Sequence, residues 1–336
     1  MHHIAAFYRF SPVADVTALV KRAKKYALRT DIMGTVLIAP EGVNGTMSSR
    51  EQGTLAEFLG FLADEIAVDA IPAKWSTSED EPFRRLRVKE RQEIVSMGVE
   101  GVQPGLRTGH EAEPDEWNWL IADPDTVLID TRNAYEIAVG SFPGAIDPKT
   151  ATFRDFPAYV SEQLAGKKDK TIAMFCTGGI RCEKASSYLL DQGFENVVQL
   201  KGGVLGYFEK AAQQGVDNKW VGDCFVFDER VAVGKDLNPS GHEMCSVCRY
   251  PLSEEDRRDE RYVPGTSCVH CYGNRSDTQI ASAQERYRQV LLAKDRGFVH
   301  LSPNLRTTRP TPAPKHQQVH DEAAQQSKSQ KAKIGL

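Results

Sequence analysis

Ala173-Met-Phe-Cys176-Thr-Gly-Gly-Ile-Arg181-Cys-Glu-Lys-Ala-Ser186 sets a single thiol, Cys176, between two patterns. Upstream, Thr171 to Phe175 is a short apolar run of the kind that forms a buried strand; from Arg181 onward the pattern is helical. The intervening Cys176-Thr177-Gly178-Gly179-Ile180-Arg181 reads as a tight loop. Gly178 and Gly179 are free to take the backbone angles an anion-binding loop needs. The amides of Thr177 to Arg181 are expected to converge on the sulfur. A sulfur at a helix N-terminus beside an arginine has a lowered pKa and reacts as thiolate. The competing reading is an inert core cysteine, but that leaves the glycine pair and Arg181 without a packing role.

Working outward, the Cys-x4-Arg spacing resembles the six-residue loop of the rhodanese fold. The related protein phosphatases use a loop one residue longer, Cys-x5-Arg, which encloses a phosphate. The flanking sequence alternates strand and helix. Thr126-Val-Leu-Ile-Asp130-Thr-Arg132 reads as a strand ending in Asp-x-Arg, and a helix is expected near Pro157 to Leu164. A strand over Val197 to Leu200 leads into the turn Lys201-Gly202-Gly203-Val204. Asp130 and Arg132 are expected to lock the loop by an ion pair. Cys182, one helical step beyond Arg181, is expected to point away from the loop centre, so that it serves poorly as a resolving thiol.

The N-terminal third reads as a separate α+β unit. Strands over Ile4 to Phe10 and Gly34 to Ala39, helices over Val13 to Leu28 and Glu51 to Ile66, a short strand at the Pro40-Glu41-Gly42-Val43-Asn44-Gly45-Thr46 loop, whose two glycines around Asn44 mark a turn with positive backbone angles, and a last strand around Phe83 to Val88 give a βαββαβ order. That order predicts an antiparallel ferredoxin-like or acylphosphatase-like sandwich. Glu41 and Asn44 are either turn formers or ligand contacts.

The expected organisation is a ferredoxin-like domain over 1–97, a polar linker over 98–122 with a short helix around Glu116 to Ile121, and a rhodanese α/β domain with a parallel sheet over 123–218. A C-terminal extension over 219–309 and a disordered tail over 310–336 follow. Trp220-Val-Gly-Asp-Cys224-Phe-Val-Phe is apolar at alternate positions and is expected to pack on the rhodanese core, with Cys224 a core thiol. Cys245-x-x-Cys248 and Cys268-x-x-Cys271 stand nineteen residues apart. Each pair can place two sulfurs at one tetrahedral metal, so the spacing reads as a zinc knuckle or, alternatively, as a redox set of thiols. Ala281 to Gly297 reads as a basic, amphipathic helix that either docks on the domain surface or meets nucleic acid.

Composition narrows the function classes. The chain has 336 residues, a net charge of −4 and seven cysteines. The odd cysteine count and the lack of an export signal predict reduced thiols and a cytoplasmic protein. No apolar run approaches the roughly 18 residues of a membrane span, so no membrane partner is expected. The overall charge argues against bulk binding of nucleic acid, DNA included. Local basic runs at Lys21 to Lys25 and Arg84 to Arg91 are either phosphate contacts or solvated faces.

Six stretches taken together are similar to the rhodanese-domain tRNA uridine(34) hydroxylases: GTVLIAPEGVNGT, PFRRLRVKERQEIVSMG, VLIDTRNAYEIAVGSFPGA, FCTGGIRCEKAS, WVGDCFVFDERV and the paired CxxC region. The resemblance runs from about Ile4 to the second CxxC. It implies an oxidoreductase that converts the wobble uridine in the tRNA anticodon loop to 5-hydroxyuridine, with molecular oxygen as co-substrate and the essential cysteine at Cys176. The residues alone stop at persulfide transfer from Cys176 to a small-molecule or RNA acceptor, which stands as the alternative. No GxGxxG loop for a flavin or nicotinamide follows a strand, and the only His-x-Glu is His320 to Glu322 in the tail. One expectation for the chemistry is that the Cys176 thiolate adds to C6 of uracil and makes C5 electron-rich.

Overall fold

The computed structural model describes residues 1–295. They form two compact units, one ending at His242 and the other beginning at Glu243. The His320 to Glu322 pair and the 310–336 tail lie outside the described residues.

The first unit opens with β1 (His2–Phe10), α1 (Val16–Arg29), β2 (Met33–Ala39), β3 (Gly42–Ser49), α2 (Gln52–Glu65) and β4 (Ala73–Ser78), followed by β5 (Leu86–Glu90). The sheet order is β4-β1-β3-β2-β5. Period-two alternation sorts its faces. Ala5, Phe7, Val36, Ile38, Val43 and Met47 face α1 and α2, where Leu19, Ala23, Leu55, Phe58 and Leu62 complete the core.

Three expectations are corrected here. The βαββαβ order closes on β4, not on the Phe83 to Val88 stretch; β5 is an added edge strand. It pairs with β2 in parallel, so the sheet is not purely antiparallel. The Gly42 to Thr46 stretch belongs to β3, and within it only Gly42 has a positive φ, +145°.

The rhodanese sheet is wholly parallel in the order β6-β10-β9-β7, from β6 (His110–Ala112), β7 (Val127–Asp130), β9 (Thr171–Phe175) and β10 (Asn196–Leu200). The stretch 98–122, read as a linker, thus supplies strand β6 and also α3 (Pro114–Leu120). Between β7 and β9 lie α4 (Ala134–Ile137), β8 (Gly140–Ser141) and α5 (Phe156–Tyr159), the last flanked by a tight 3-10 turn and a wider π turn. α6 (Ile180–Asp191) follows β9 and α7 (Gly203–Gln214) follows β10.

β9 is apolar throughout because both faces of the sheet are covered. Ile172 and Met174 meet α5 and α6; Ala173 and Phe175 meet α7 and Trp117 of α3. β11 (Val221–Gly222), β12 (Cys224–Phe225) and β13 (Ala232–Val233) complete this unit. Trp220, Cys224, Val226 and Val233 pack into the rhodanese core, so 219–242 belongs to that core and not to a separate extension.

The second unit contains β14 (Glu243–Met244), β15 (Pro251–Leu252), α8 (Glu254–Arg258) and α9 (Asp277–Asp295). Its core is the four cysteines with Leu252, against which Val247, Tyr250 and Tyr262 pack. α9 lies on this module: a Cβ on Gly265 would come within 2.1 Å of Tyr287 on the helix.

Candidate active site

β9 delivers Cys176 at its C-terminal end, fully buried. The loop then turns on Gly179, whose φ of +100° is the left-handed region that favours glycine. Gly179 N–H donates to Sγ of Cys176 at 3.1 Å. From beneath, Val204 N–H donates to the Cys176 carbonyl at 2.9 Å and Leu205 N–H to that of Thr177 at 3.1 Å. This approach requires Gly203, where φ is +65° and a Cβ would sit 2.5 Å from the Cys176 carbonyl oxygen. Gly178, by contrast, has ordinary φ and open space where a Cβ would stand, so only one of the two loop glycines is needed for the turn.

Burial pushes the Cys176 thiol up, but what surrounds it outweighs that. The Cys182 thiol, the Arg181 charge and the amides of Cys182 and Gly179 together lower it from 9.0 to about 5. Cys176 is therefore a thiolate at neutral pH. Cys182 is corrected by this geometry: it faces Cys176 rather than away from it, and its sulfur also lies 3.4 Å from the Thr131 hydroxyl. Cys176 sits in the loop, not on the helix, so the first turn of α6 folds over it. Buried beside that negative sulfur, Cys182 is held well above its ordinary value and stays a thiol.

Arg181 does not reach outward. Its two terminal nitrogens donate to both carboxylate oxygens of Glu136 at 2.7 and 2.6 Å, and Glu136 is fully buried. Glu136 also accepts from Asn133 N–H at 3.0 Å and from the Thr177 hydroxyl at 3.3 Å. It is the loop's buried counterion, a role the sequence reading did not assign. Its signal was there, in an acidic residue six positions after Asp130 opening a short capped helix. Asp130 and Arg132 form the expected ion pair, with contacts of 2.9 and 2.6 Å, and both are fully buried. Arg132 also donates to the Glu136 and Gly140 carbonyls and lies 4.8 Å from the Trp220 ring centroid. Cys224 is a core thiol, pushed up to about 12 by burial.

The sheet face away from α1 and α2 closes over the loop. Tyr8 of β1 and Ile180 of the loop both pack against Phe10, Ala39 and Ile94, and a Cβ on Gly179 would come within 3.0 Å of the Tyr8 hydroxyl. Lys74 of β4 lies beside it, its Nζ 5.5 Å from the Tyr8 ring centroid. Glu183 of α6 faces both. Burial, then the Glu183 and Cys176 charges, hold the Tyr8 phenol well above its ordinary value.

Lys184, buried one turn beyond Arg181, joins the two layers. It donates to Glu41 and to Glu93 at 2.7 Å each and to the Val95 carbonyl at 3.2 Å. Glu41 in turn accepts from Ile94 N–H at 2.7 Å, and Asn44 donates to the Ile94 carbonyl at 2.9 Å. Both therefore serve the joint. The basic runs are partly spoken for as well, Arg22 by Glu65 and Arg84 by Glu229.

In the second unit the sulfurs of Cys245, Cys248, Cys268 and Cys271 all lie within 4.8 Å of one another, all buried. Cys248 to Cys268 is 3.5 Å and Cys268 to Cys271 is 3.7 Å. Tetrahedral bonds of about 2.3 Å to one zinc would set sulfurs about 3.8 Å apart, so the cluster fits a single metal ion.

Two family models match the chain, one described as the UPF0176 acylphosphatase like domain over residues 2–94, the other as the rhodanese-like domain over residues 113–210. A tRNA uridine(34) hydroxylase of Acaryochloris marina is 44% identical over 296 residues, covering 88% of this chain and 94% of that protein. The chain belongs to the tRNA uridine(34) hydroxylase family. Among solved structures, a rhodanese-like domain protein from Staphylococcus aureus is 24% identical, over 29% of this chain and 90% of that one, with a TM-score of 0.25. An acylphosphatase from Coxiella burnetii is 17% identical over 26% of this chain and 90% of that one, with a TM-score of 0.21. The two family models cover the two layers that meet at Cys176.

Proposed function

We infer that this chain hydroxylates uridine 34 of tRNA, with Cys176 as its nucleophile. The observation that carries the reading is a relative of that activity matched along 88% of the chain, the match spanning a loop whose geometry makes Cys176 a thiolate. In this reading the substrate base is the wobble uridine, unstacked from the anticodon loop as bases read by proteins usually are. Molecular oxygen is the co-substrate and 5-hydroxyuridine the product. The Cys176 thiolate adds to C6 of the uracil, which raises electron density at C5. The Gly179 and Cys182 amides hold the sulfur; Arg181, fixed by Glu136, holds the loop; Asp130 and Arg132 brace the strand beside it. The four-cysteine cluster holds structural zinc, supplying the stability a small module lacks. No helix among the described residues is long and apolar enough to cross a membrane, which suits an enzyme working on tRNA in the cytoplasm.

The test is mass spectrometry of tRNA nucleosides from cells lacking this protein, complemented with wild type or Cys176→Ala, grown with and without oxygen. Oxygen-dependent 5-hydroxyuridine restored by wild type alone is the expected result. Unchanged 5-hydroxyuridine in every arm refutes the reading and makes persulfide transfer from Cys176 the leading account.

A further inference from the structure

Lys74 has no ionic partner among the described residues. It is half-buried on the sheet face that covers the thiol loop. Its Cε lies 3.4 Å from where a Cβ on Gly202 would stand, against the turn that hydrogen-bonds the Cys176 carbonyl. Among the described residues it makes no ion pair and no hydrogen bond, only the contact with the face of Tyr8. Lys184, in the same joint, has two carboxylates and a carbonyl. An ammonium drawn partly out of water without an acceptor costs free energy, so an unfilled one beside a nucleophile is a site for a ligand oxygen. Burial accordingly lowers the Lys74 pKa, against the charges of Cys176, Glu183, Glu111 and Glu209 that surround it.

We propose that Lys74 holds O4 of the target uracil and takes up the negative charge that forms there when Cys176 adds to C6. The proposal rests on the hydroxylase reading above. In the step, a sulfur lone pair forms the S–C6 bond, the C5=C6 pair moves into the C5–C4–O4 system, and one negative charge passes from sulfur to O4. No oxidant is consumed, and loss of the thiolate reverses it. The ammonium, hydrogen-bonded to O4, stabilises this charge as it develops, which is where an oriented donor contributes most. The resulting enolate is electron-rich at C5, the carbon to be hydroxylated. An RNA phosphate would also satisfy an ammonium, but its loss would weaken binding rather than the chemical step.

The test compares the full-length wild type with Lys74→Met and Lys74→Arg. With tRNA as substrate, Lys74→Met is expected to lower kcat about a hundredfold, as loss of one oriented donor does, with KM changed less than about threefold. Lys74→Arg should fall between the two. An anticodon stem-loop RNA carrying 5-fluorouridine at the wobble position reports the adduct, because fluorine at C5 favours addition at C6 and an acid quench protonates C5, removing the enolate that would otherwise expel sulfur. Wild type should give a Cys176–RNA species that survives denaturation, and Lys74→Met should form it about a hundredfold more slowly. Alkylation of Cys176 by iodoacetamide without RNA should change less than about threefold, reporting a folded loop and an intact thiolate.

A raised KM with unchanged kcat would overturn the proposal in favour of a phosphate contact. Full activity in Lys74→Met would overturn it outright while leaving the hydroxylase reading intact. Wild type that hydroxylates tRNA yet never forms the adduct would refute the C6 addition and with it the charge assigned to Lys74. Wild type that makes no 5-hydroxyuridine would refute the hydroxylase reading itself.

Discussion

The depressed pKa of Cys176 ties the stability of the fold to pH, and replacing the thiol by a hydroxyl isolates the effect. In the folded chain Cys176 titrates at about 5, against an ordinary 9.0. A folded-state pKa below the unfolded one stabilises the fold above the unfolded value, and the contribution is lost as pH falls through the folded one. Four pH units at about 1.4 kcal/mol each give roughly 5 kcal/mol above pH 9, about 3 kcal/mol at pH 7 and almost none at pH 5. Cys182 remains a thiol throughout and adds no second proton. Cys176→Ser has no charge to lose at this position. Its stability deficit relative to wild type should therefore shrink by about 1.4 kcal/mol for each pH unit of acidification from about 9 to 5. Urea unfolding under reducing conditions, followed by the fluorescence of the buried Trp117 and Trp220, measures that difference. A deficit that stays flat between pH 8 and 5 refutes the claim that the loop amides and Arg181 outweigh burial at the sulfur.

Other substitutions probe separate parts of the site. Arg181→Met leaves Glu136 charged and unpaired in the core, which should cost about 3–5 kcal/mol in urea unfolding and raise the pH midpoint of thiolate absorbance; an unchanged midpoint would remove Arg181 from the activation of the thiol. Gly203→Ala puts a Cβ 2.5 Å from the Cys176 carbonyl at a left-handed φ, so it should displace the loop and reduce hydroxylation at least about tenfold even in protein that remains folded. Cys268→Ser should lower zinc, measured by atomic emission on the purified chain, from about one ion per chain to near zero, and should lower the thermal stability of the second unit.

Much of the site was legible because its chemistry is local. The strand, the thiol and the turning glycine are contiguous, so Thr171 to Arg181 could be read as one device. The Asp130–Arg132 pair was legible for the same reason, two residues apart on one strand end. Glu136 was not assigned, since its partner Arg181 lies forty-five residues on and the bond exists only once β7 and β9 are adjacent. Cys182 was misplaced because counting along a helix assumes that the loop lies on the helix axis, whereas here the loop tucks beneath the first turn. β4 was passed over because Lys74, Ser76 and Ser78 break its apolar run. Those residues lie on the face that meets the rhodanese layer, Ser76 accepting a hydrogen bond from Arg230 at 3.0 Å. Lys74 and Tyr8 could not be linked to Cys176 from sequence at all, because nothing local announces which face of one sheet will cover another domain's loop.

Lys184 gives this arrangement a mechanical property. One turn of a single helix carries Arg181, which holds the floor of the thiol cradle, and Lys184, which is pinned to the neighbouring layer through Glu41 and Glu93. A rigid turn with anchors at both ends behaves as a crank. A load on the N-terminal sheet therefore reaches the sulfur without crossing a flexible hinge, so the seating of that sheet and the aim of a single atom are adjusted by the same few ångströms of helix.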